Sequence, residues 1–420
     1  MAPIIYNLFP RLAGTMDSWL LHAERAWGMG FGWIYLNPVT LPGLSGSLYS
    51  VKDYYKINPD FLPPGSSKDG LSELRRVLGY IRKLGMKPVM DLVIGQTAID
   101  SPLLKAYPNW YLHDEKGAVA HPYAIDPAGA RKKAVWGDLA EIDNVKSPDL
   151  DHLWDYWRDL VRFYVMLGFE GFRCDTAYKV PAILWRMLTD EARERNPDVL
   201  FFAETLGCKL EQVSGLSNAG LDYLFNSSKF WNFDQPWALE QHEQFGKIAP
   251  SISFPESHDT PRLFAETRGN RAVQRQRYLL AAIFSGGVLM PIGYEFGFQK
   301  PLDVVNTTPD DWEDTGMDFR DFIREVNRLK QDTWVLQEEG HWRALTPYDQ
   351  QVLLLQKRAD DDRVLVLINK DWDNPGSIDL QGQDLPSGAK LRRVAPDGIL
   401  EENSVPQSVE MGPAEILLVW

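Results

Sequence analysis

Eight short apolar segments with the composition of β-strands recur along the first 300 residues, and most are separated by stretches of helical length. Strands that alternate with helices are joined by crossover connections, which make the sheet parallel, and eight such units close into a barrel. The alternation therefore predicts an α/β fold, a (β/α)8 TIM barrel. In order the segments are PIIYNLF, FGWIYLNPV, KPVMDLVI, GFEGFRCDTA, VLFFAET, LDYLF, SISFPES and GGVLMPIGYEFG.

Two of the intervening stretches carry clear helix signals. In DGLSELRRVLGYIRKLG the leucines and the isoleucine share one helical face, and Gly85 is a typical residue just past a helix end. In SPDLDHLWDYWRDLVRFYVMLG we expect Ser147 as the N-cap, Pro148 at the first helical position and Gly168 at the end.

Two parts of the chain do not fit the alternation. Residues 97–146 form a long excursion after the third strand, too long for a simple loop, which predicts a small inserted subdomain. Residues 339–420 contain runs of alternating apolar residues broken by Asp-, Gly- and Pro-rich turns, which predicts a C-terminal all-β domain. Residues 1–96 and 147–338 are then expected to form the catalytic barrel.

Composition excludes several classes of function. With 44% hydrophobic and 24% charged residues and no long apolar run, the chain reads as a globular protein without a membrane partner. A net charge of −14 argues against a nucleic-acid partner, because binding phosphates needs a basic face. Two cysteines are too few for a disulfide framework or a cysteine zinc site. The N-terminal residues lack the pattern of a signal peptide, which favours a cytoplasmic location.

Charged residues lie at the predicted carboxyl ends of three barrel strands. Arg173 and Asp175 end the fourth strand, Glu204 follows the fifth, and Asp259 follows the seventh. Charges on buried strands are costly unless they are paired, and the carboxyl ends of barrel strands are where active sites lie. One Asp beside one Arg fits a structural salt bridge equally well. Three acids that reach one face from three strands are harder to explain in that way.

At these residues the sequence resembles glycoside hydrolase family 13, the α-amylase family. The motifs are GFRCDTA for the Gly-x-Arg-x-Asp segment, FFAET for the strand with the acid, and SHDTPR for the Asn-His-Asp segment. The resemblance implies Asp175 as the nucleophile, Glu204 as the general acid and base, and Asp259 as a holder of sugar hydroxyls.

The resemblance also implies a binding set around these acids. Arg173 would keep the nucleophile ionised, and His258 would hydrogen-bond to the sugar. SLYSVKDYYKINPDF resembles the segment after the second strand that carries a sugar-stacking tyrosine, which places Tyr49 in that role. The implied partner is an α-glucan or maltooligosaccharide.

Several positions depart from the family pattern. Gly95 and Gln96 stand where the family has Asn and His, and Gln96 still offers an amide to a sugar hydroxyl. The missing Asn is usually a calcium ligand, so we expect no metal and no other cofactor, although Asp91, Asp100 or Asp126 remained as alternative ligands. The segment after strand three is closer to maltogenic and maltosyltransferase-like branches than to secreted amylases. The other departures are Ser50, Tyr178, Lys179 and Ser257.

Weaker features have ordinary structural interpretations. The glycines of GMGFGW precede a strand instead of following one, so they do not indicate a dinucleotide loop. The remaining histidines have no metal-ligand spacing. Four aromatic residues fit either sugar platforms or core packing: Trp110, Tyr111, Trp231 and Trp237.

Three functions remain open on this reading. The first is a retaining glycosidase that cleaves α-1,4 bonds in maltooligosaccharides, and the second is a glucanotransferase that uses the same covalent intermediate. The third is a non-catalytic carbohydrate-binding barrel, which the retention of three acids disfavours. The sequence leaves the oligomeric state open.

Overall fold

The structure is a computed structural model that describes residues 2–66, 69–125 and 133–420. In chain order the strands are β1 (Ile4–Leu8), β2 (Trp33–Leu36), β3 (Thr40–Pro42), β4 (Val51–Ile57), β5 (Lys87–Leu92), β6 (Gln96–Ala98), β7 (Tyr123–Ile125), β8 (Lys133–Val135), β9 (Leu139–Glu141), β10 (Gly171–Cys174), β11 (Leu200–Ala203), β12 (Tyr223–Phe225), β13 (Ser251–Ser253), β14 (Gly287–Pro291), β15 (His341–Ala344), β16 (Val352–Ala359), β17 (Asp362–Asn369), β18 (Gly376–Asp379), β19 (Leu391–Ala395), β20 (Gly398–Glu402), β21 (Ser408–Met411) and β22 (Ile416–Val419).

The helices surround the barrel strands and connect them. They are α1 (Pro10–Ala13), α2 (Met16–Gly28), α3 (Gly70–Lys83), α4 (Pro102–Ala106), α5 (Leu150–Leu167), α6 (Ala182–Arg195), α7 (Leu210–Ser214), α8 (Trp237–Gly246), α9 (Leu263–Glu266), α10 (Arg271–Phe284), α11 (Arg320–Asp332) and α12 (Trp334–Gln337). In the parts of the chain that the structure describes, no helix is both long enough and apolar enough to cross a membrane.

Eight parallel strands close into a barrel in the order β1, β2, β5, β10, β11, β12, β13, β14 and back to β1. Each of the eight predicted segments supplies one of these strands, so the predicted (β/α)8 barrel is confirmed. Apolar side chains fill the interior: Ile5, Trp33, Tyr35, Val89, Phe202, Phe225, Ile252, Phe254 and Leu289. The barrel is therefore a packed core, and ligands have access only at its ends.

The predicted C-terminal all-β domain is also confirmed. Six antiparallel strands form one sheet in the order β15, β16, β17, β22, β19 and β20, and β18 pairs with β21 beside it. An apolar cluster that includes Leu354, Leu367, Val409 and Leu417 lies between the two sheets. The excursion after β5 contains the pair β6 and β9 and the pair β7 and β8. The boundaries 97–146 and 339–420 stay predictions.

The predicted start of α5 is wrong by two residues. The helix begins at Leu150, with Asp149 at the N-cap position. The Ser147 hydroxyl donates to the Asn109 carbonyl (2.8 Å) and accepts from the Asp149 N–H (3.2 Å). Because the hydroxyl closes this local turn and links it to a neighbouring segment, residues 147–149 lie before the helix. The predicted end at Gly168 is correct, as is Gly85 after α3, and both have positive φ.

Candidate active site

The nucleophile candidate and its arginine lie where β10 ends. Arg173 lies directly across from Asp91 of the neighbouring strand β5. Its Nη1 donates to Asp175 Oδ1 (2.7 Å) and to Asp91 Oδ1 (3.1 Å). All three side chains are buried or nearly so. The buried guanidinium therefore holds two carboxylates at the carboxyl end of the barrel, which offsets much of the cost of burying them.

Glu204 follows β11, which lies next to β10. The register pairs Cys174 with Ala203, so Asp175 and Glu204 are the next residues on their two strands. The Glu204 N–H donates to the Cys174 carbonyl (3.0 Å). Neighbouring strands are about 4.8 Å apart, and retaining glycosidases need about 5–5.5 Å between their two carboxyls. The two acids thus extend from matched positions on neighbouring strands.

Burial raises the pKa of the Glu204 carboxyl to about 7, although Arg173 opposes this rise and the charges of Asp175 and Asp259 add to it. The carboxyl also accepts two main-chain N–H groups, from Leu206 to Oε1 (2.7 Å) and from Thr176 to Oε2 (3.0 Å). A pKa near neutral pH lets one carboxyl donate a proton and later take one back.

Asp259 lies in the loop after β13, and about half of its side chain is exposed. Its Oδ2 is 3.8 Å from Arg173 Nη2 and 3.1 Å from His258 Nε2. Beneath this loop Glu256 and Arg262 form a fully buried ion pair (2.7 Å). The loop thus has a rigid base, while Asp259 itself is free to contact a ligand in the cleft.

Tyr49 and His258 form the wall beside these acids. Their rings are 5.7 Å apart and nearly parallel, and the Tyr49 hydroxyl is 2.7 Å from His258 Nε2. The Tyr49 hydroxyl donates to Asp91 Oδ2 (2.6 Å), so its one proton is used there and His258 donates Nε2–H. Burial lowers the pKa of His258, which keeps the ring neutral at pH 7.

Asp91 receives a second phenol hydrogen bond from Tyr35 (2.5 Å). Burial raises the pKa of the Asp91 carboxyl to about 6, although Arg173 opposes the rise. Asn37 donates to the hydroxyls of both Tyr35 (3.2 Å) and Tyr49 (3.0 Å). This buried network orients the tyrosines and the arginine before any ligand arrives.

Gln96, which is expected to donate to a sugar hydroxyl, lies next to Asp175. Its Nε2 donates to Asp175 Oδ2 at 3.3 Å, and the residue is buried at the start of β6. Asp175 therefore has one oxygen bonded to Arg173 and the other to an amide. Without a bound ligand, Gln96 thus helps to orient the Asp175 side chain.

A cleft of about 520 Å³ contains the three acids. All seven predicted site residues belong to this end of the barrel, and six of them line the cleft, with His258 in the wall behind. Their roles stay predictions. The cleft also contains Trp136, Tyr178 and Lys179. The Trp136 ring is 41% exposed, and the Lys179 ammonium lies 5.8 Å from its centre.

Several residues that line the cleft were not predicted from the sequence, among them Trp136 and Thr176. Trp136 has no periodicity or motif around it, and only its exposed position marks it as a sugar platform. Thr176 contributes through its main chain, which leaves no trace in side-chain patterns. Of the four aromatic residues that fitted either sugar platforms or core packing, Trp110, Tyr111 and Trp231 are buried, so core packing explains them, while Trp237 is half-buried against the core.

No group of three or more His, Cys, Asp or Glu side chains in the described ranges has metal-binding geometry. Two alternative calcium ligands are occupied within the protein, because Asp91 contacts Arg173 and Asp100 accepts from Lys52 (2.7 Å). Asp126 lies outside the described residues.

A closed (β/α)8 barrel in which an Asp bound by Arg and a Glu with a raised pKa lie at the carboxyl ends of neighbouring strands has the architecture of a glycoside hydrolase. Residues 4–117 match the family described as the glucanotransferase domain of glycogen debranching enzyme. The match and the relatives below confirm the resemblance of the chain to glycoside hydrolase family 13, the α-amylase family, near its maltogenic and maltosyltransferase-like branches.

Two curated relatives are α-1,4-glucan:maltose-1-phosphate maltosyltransferases. The protein from Burkholderia pseudomallei is 28% identical over 90% of this chain and 34% of its own length. The protein from Pseudomonas aeruginosa is 26% identical over 91% of this chain and 64% of its own length. The chain thus spans about one third of the first relative and just under two thirds of the second.

Solved α-amylase structures share the fold over almost the whole chain. A maltogenic α-amylase from Thermotoga neapolitana superposes with a TM-score of 0.74 at 21% identity, covering 100% of this chain and 99% of that one. An α-amylase from Geobacillus thermoleovorans, solved with acarbose, has a TM-score of 0.76 at 18% identity and covers 100% and 98%. At such identities the likeness concerns the fold.

Proposed function

We propose that the protein is a retaining enzyme that cleaves α-1,4 bonds in maltooligosaccharides through a covalent glycosyl-enzyme. The observation that carries this proposal is the pair Asp175 and Glu204 at matched positions on neighbouring strands. One of these acids is bonded to a buried arginine, and the other has a pKa near 7. These are the states that a nucleophile and a proton donor need.

In the first step Asp175 attacks the anomeric carbon while the bond to the leaving sugar breaks. Glu204 gives its proton to the departing glycosidic oxygen, and an ester to Asp175 forms. In the second step a water or a sugar hydroxyl attacks the same carbon, Glu204 takes its proton, and the ester breaks. Asp259 binds sugar hydroxyls from the open side of the cleft.

The cleft favours a neutral sugar at the reacting position. Three carboxylates line it, Asp138, Asp175 and Asp259, together with the protonated Glu204 and the cations Arg173 and Lys179. A phosphate group there would meet net repulsion. We therefore assign α-glucans as donors, even though two relatives are named for maltose 1-phosphate.

Transfer to a sugar acceptor is the second candidate function. It is favoured by the maltosyltransferase names of the relatives and by Trp136, whose exposed ring offers an apolar face to an incoming sugar. Transfer and hydrolysis share Asp175 and Glu204 and differ only in what attacks the ester. A non-catalytic barrel would have no use for a buried Arg173–Asp175 pair beside a high-pKa acid.

The test is incubation with maltooligosaccharides of defined length, with and without added acceptor sugar or phosphate. Hydrolysis gives only shorter products, transfer gives longer ones as well, and phosphorolysis gives a sugar phosphate. Proton NMR of the first-formed product should show the α-anomer, because two displacements at one carbon restore its configuration. An initial β-anomer would contradict the mechanism.

Matched variants identify the roles of the two acids. Asp175→Asn should lose several orders of magnitude in turnover with every substrate. Glu204→Gln should lose about 10²–10⁴-fold and recover partly with substrates that have good leaving groups. An Asp175→Asn variant with nearly full activity would eliminate the proposed nucleophile.

A further inference from the structure

Thr176 combines two unfavourable features at one position of the cleft. Its backbone is left-handed (φ 42°, ψ 46°), a conformation that is rare for a β-branched residue. Its hydroxyl is buried and has no hydrogen-bond partner among the described residues. Strain of this kind persists only where the surrounding structure imposes it, and it is concentrated at functional sites.

The left-handed turn directs two successive N–H groups toward Glu204. The Thr176 N–H donates to Glu204 Oε2 (3.0 Å), and the Ala177 N–H donates to the Glu204 carbonyl (3.3 Å). In an extended strand successive N–H groups point to opposite sides, so a regular continuation of β10 offers only one of them. The strained residue is what allows both contacts.

The first of these N–H groups belongs to the peptide that joins Asp175 to Thr176. One rigid peptide plane therefore connects the proposed nucleophile to the carboxyl of the proposed acid. The Leu206 N–H binds the other oxygen of Glu204 (2.7 Å), so the carboxyl is held from two directions. The main chain of Asp175 and the carboxyl of Glu204 are thus in direct contact.

We infer that Thr176 is a positioning residue for the proposed reaction, whose left-handed backbone holds the Glu204 carboxyl beside Asp175 through the peptide N–H. The inference rests on the proposed function for its catalytic meaning, while the contact itself is testable without turnover. The side-chain hydroxyl has no part in this role.

The contact has a definite electrostatic effect. An N–H that donates to a carboxylate favours the ionised form and lowers the pKa, and here it opposes the rise caused by burial. Loss of the N–H should therefore raise the pKa of Glu204. Because the first step needs protonated Glu204, the basic limb of kcat/KM should then move to higher pH.

The first experiment is NMR of protein labelled with ¹⁵N-threonine, with the Thr176 amide identified by its loss in Thr176→Val. Its proton shift should titrate with a midpoint near pH 7. The titration should vanish in Glu204→Gln and persist in Asp175→Asn, where its midpoint should lie at lower pH because the charge of Asp175 raises the pKa of Glu204. A Thr176 amide without this midpoint, or one that keeps it in Glu204→Gln, overturns the inference. This arm needs no activity, so it stands even if the proposed function fails.

The second experiment compares three substitutions at Thr176 by the pH dependence of kcat/KM. Glycine adopts positive φ freely, and valine keeps the branched shape without the hydroxyl, so both should leave the basic limb in place. Proline has no N–H and requires negative φ. Thr176→Pro should move the limb upward by about one pH unit, because a charge-assisted hydrogen bond is lost.

Asp360→Gly is the matched control, because Asp360 has a similar φ (49°) in an exposed turn of the C-terminal domain. It should change the melting temperature alone. If the basic limb of the kcat/KM profile moves in Thr176→Val, the role belongs to the hydroxyl and the inference is overturned. The inference is also overturned if Thr176→Pro folds and its basic limb does not move. If Thr176→Pro does not fold, the NMR titration decides.

Discussion

At the scale of single residues, Glu204 shows how opposing effects are balanced in the cleft. Burial raises its pKa to about 7, above the value of about 4.3 expected in an unfolded chain. The folded state therefore binds a proton that the unfolded state has lost, between roughly pH 4.3 and 7. The contribution of this group to stability is complete below that range and is lost as pH rises through 7.

This balance gives the first prediction. Glutamine cannot ionise, so Glu204→Gln should gain in melting temperature relative to the wild type as pH rises from 5 to 8. The gain should level off above pH 8. Calorimetry at several pH values measures this difference in melting temperature. Glu240→Gln, at an exposed position, is the control, and its difference from wild type should not change with pH. A constant offset for Glu204→Gln would show that its folded pKa is not raised.

The second prediction concerns Trp136. If its exposed ring supports an incoming acceptor sugar, Trp136→Ala should lower the ratio of transfer to hydrolysis by roughly threefold to tenfold, the worth of about one stacking contact. Chain-length analysis of products at fixed substrate measures the ratio. Trp334→Ala removes another exposed indole, outside the cleft, and should not change the ratio. An equal fall in transfer and hydrolysis would place Trp136 on the donor side.

At the scale of elements, the periodicity of apolar residues predicted the strands correctly, whereas features that depend on local contacts were not predicted. All eight barrel strands were predictable because a fully buried parallel strand must be apolar along its length. The start of α5 was not, because Ser147 bonds to Asn109, which is remote in sequence. The three acids were predictable from strand ends, whereas the Thr176 peptide acts through its backbone conformation.

The junction between β5 and the inserted segment leads to the third prediction. Asn144 donates to the Ile94 carbonyl (2.8 Å) and accepts from Trp157 Nε1 (3.0 Å), and Tyr54 donates to the Val93 carbonyl (2.9 Å). These two carbonyls come just before Gly95, the position where the family resemblance places a calcium-binding Asn. Protein donors thus occupy oxygens that a cation would otherwise need.

We therefore expect chelation, followed by added calcium, to change neither activity nor melting temperature. Asn144→Ala should instead cost about 1–3 kcal/mol, because it leaves a buried carbonyl and an indole N–H without partners. The exposed Lys146→Ala in the same turn is the control and should leave stability unchanged. A reversible loss of activity or stability on chelation would contradict the prediction.

At the scale of the whole molecule, two buried lysines lie where the barrel contacts the C-terminal domain, and one of them, Lys357, reaches from that domain to the barrel. Lys357 of β16 donates to the Ile283 carbonyl (2.9 Å), and Lys330 of α11 donates to the Ser285 carbonyl (2.9 Å). Both carbonyls lie at the carboxyl end of α10, where main-chain oxygens lack partners within the helix. The last helix before β14 is thus capped partly by a side chain from the other domain.

Burial lowers the pKa of Lys357 to about 7, below the value of about 10.4 in an unfolded chain. The unfolded state then binds a proton that the folded state lacks between these values, so stability rises with pH across this window. The contribution of Lys357 is complete above about pH 10.4 and is lost as pH falls through 7.

The last prediction follows because the contribution of Lys357 to stability rises with pH. Lys357→Met keeps a similar length but leaves the Ile283 carbonyl unpaired, so it should destabilise the protein, and the deficit relative to wild type should be larger at pH 9 than at pH 7. Denaturant unfolding at the two pH values measures the free energy of unfolding of the variant relative to wild type. The other titrating groups are the same in both proteins, so their effects cancel in this difference. Arg358→Met alters the exposed face of the same strand and should show no such dependence. Equal deficits at both pH values would mean that Lys357 is charged in the folded protein, and the junction would then be held by an ionic cap on α10.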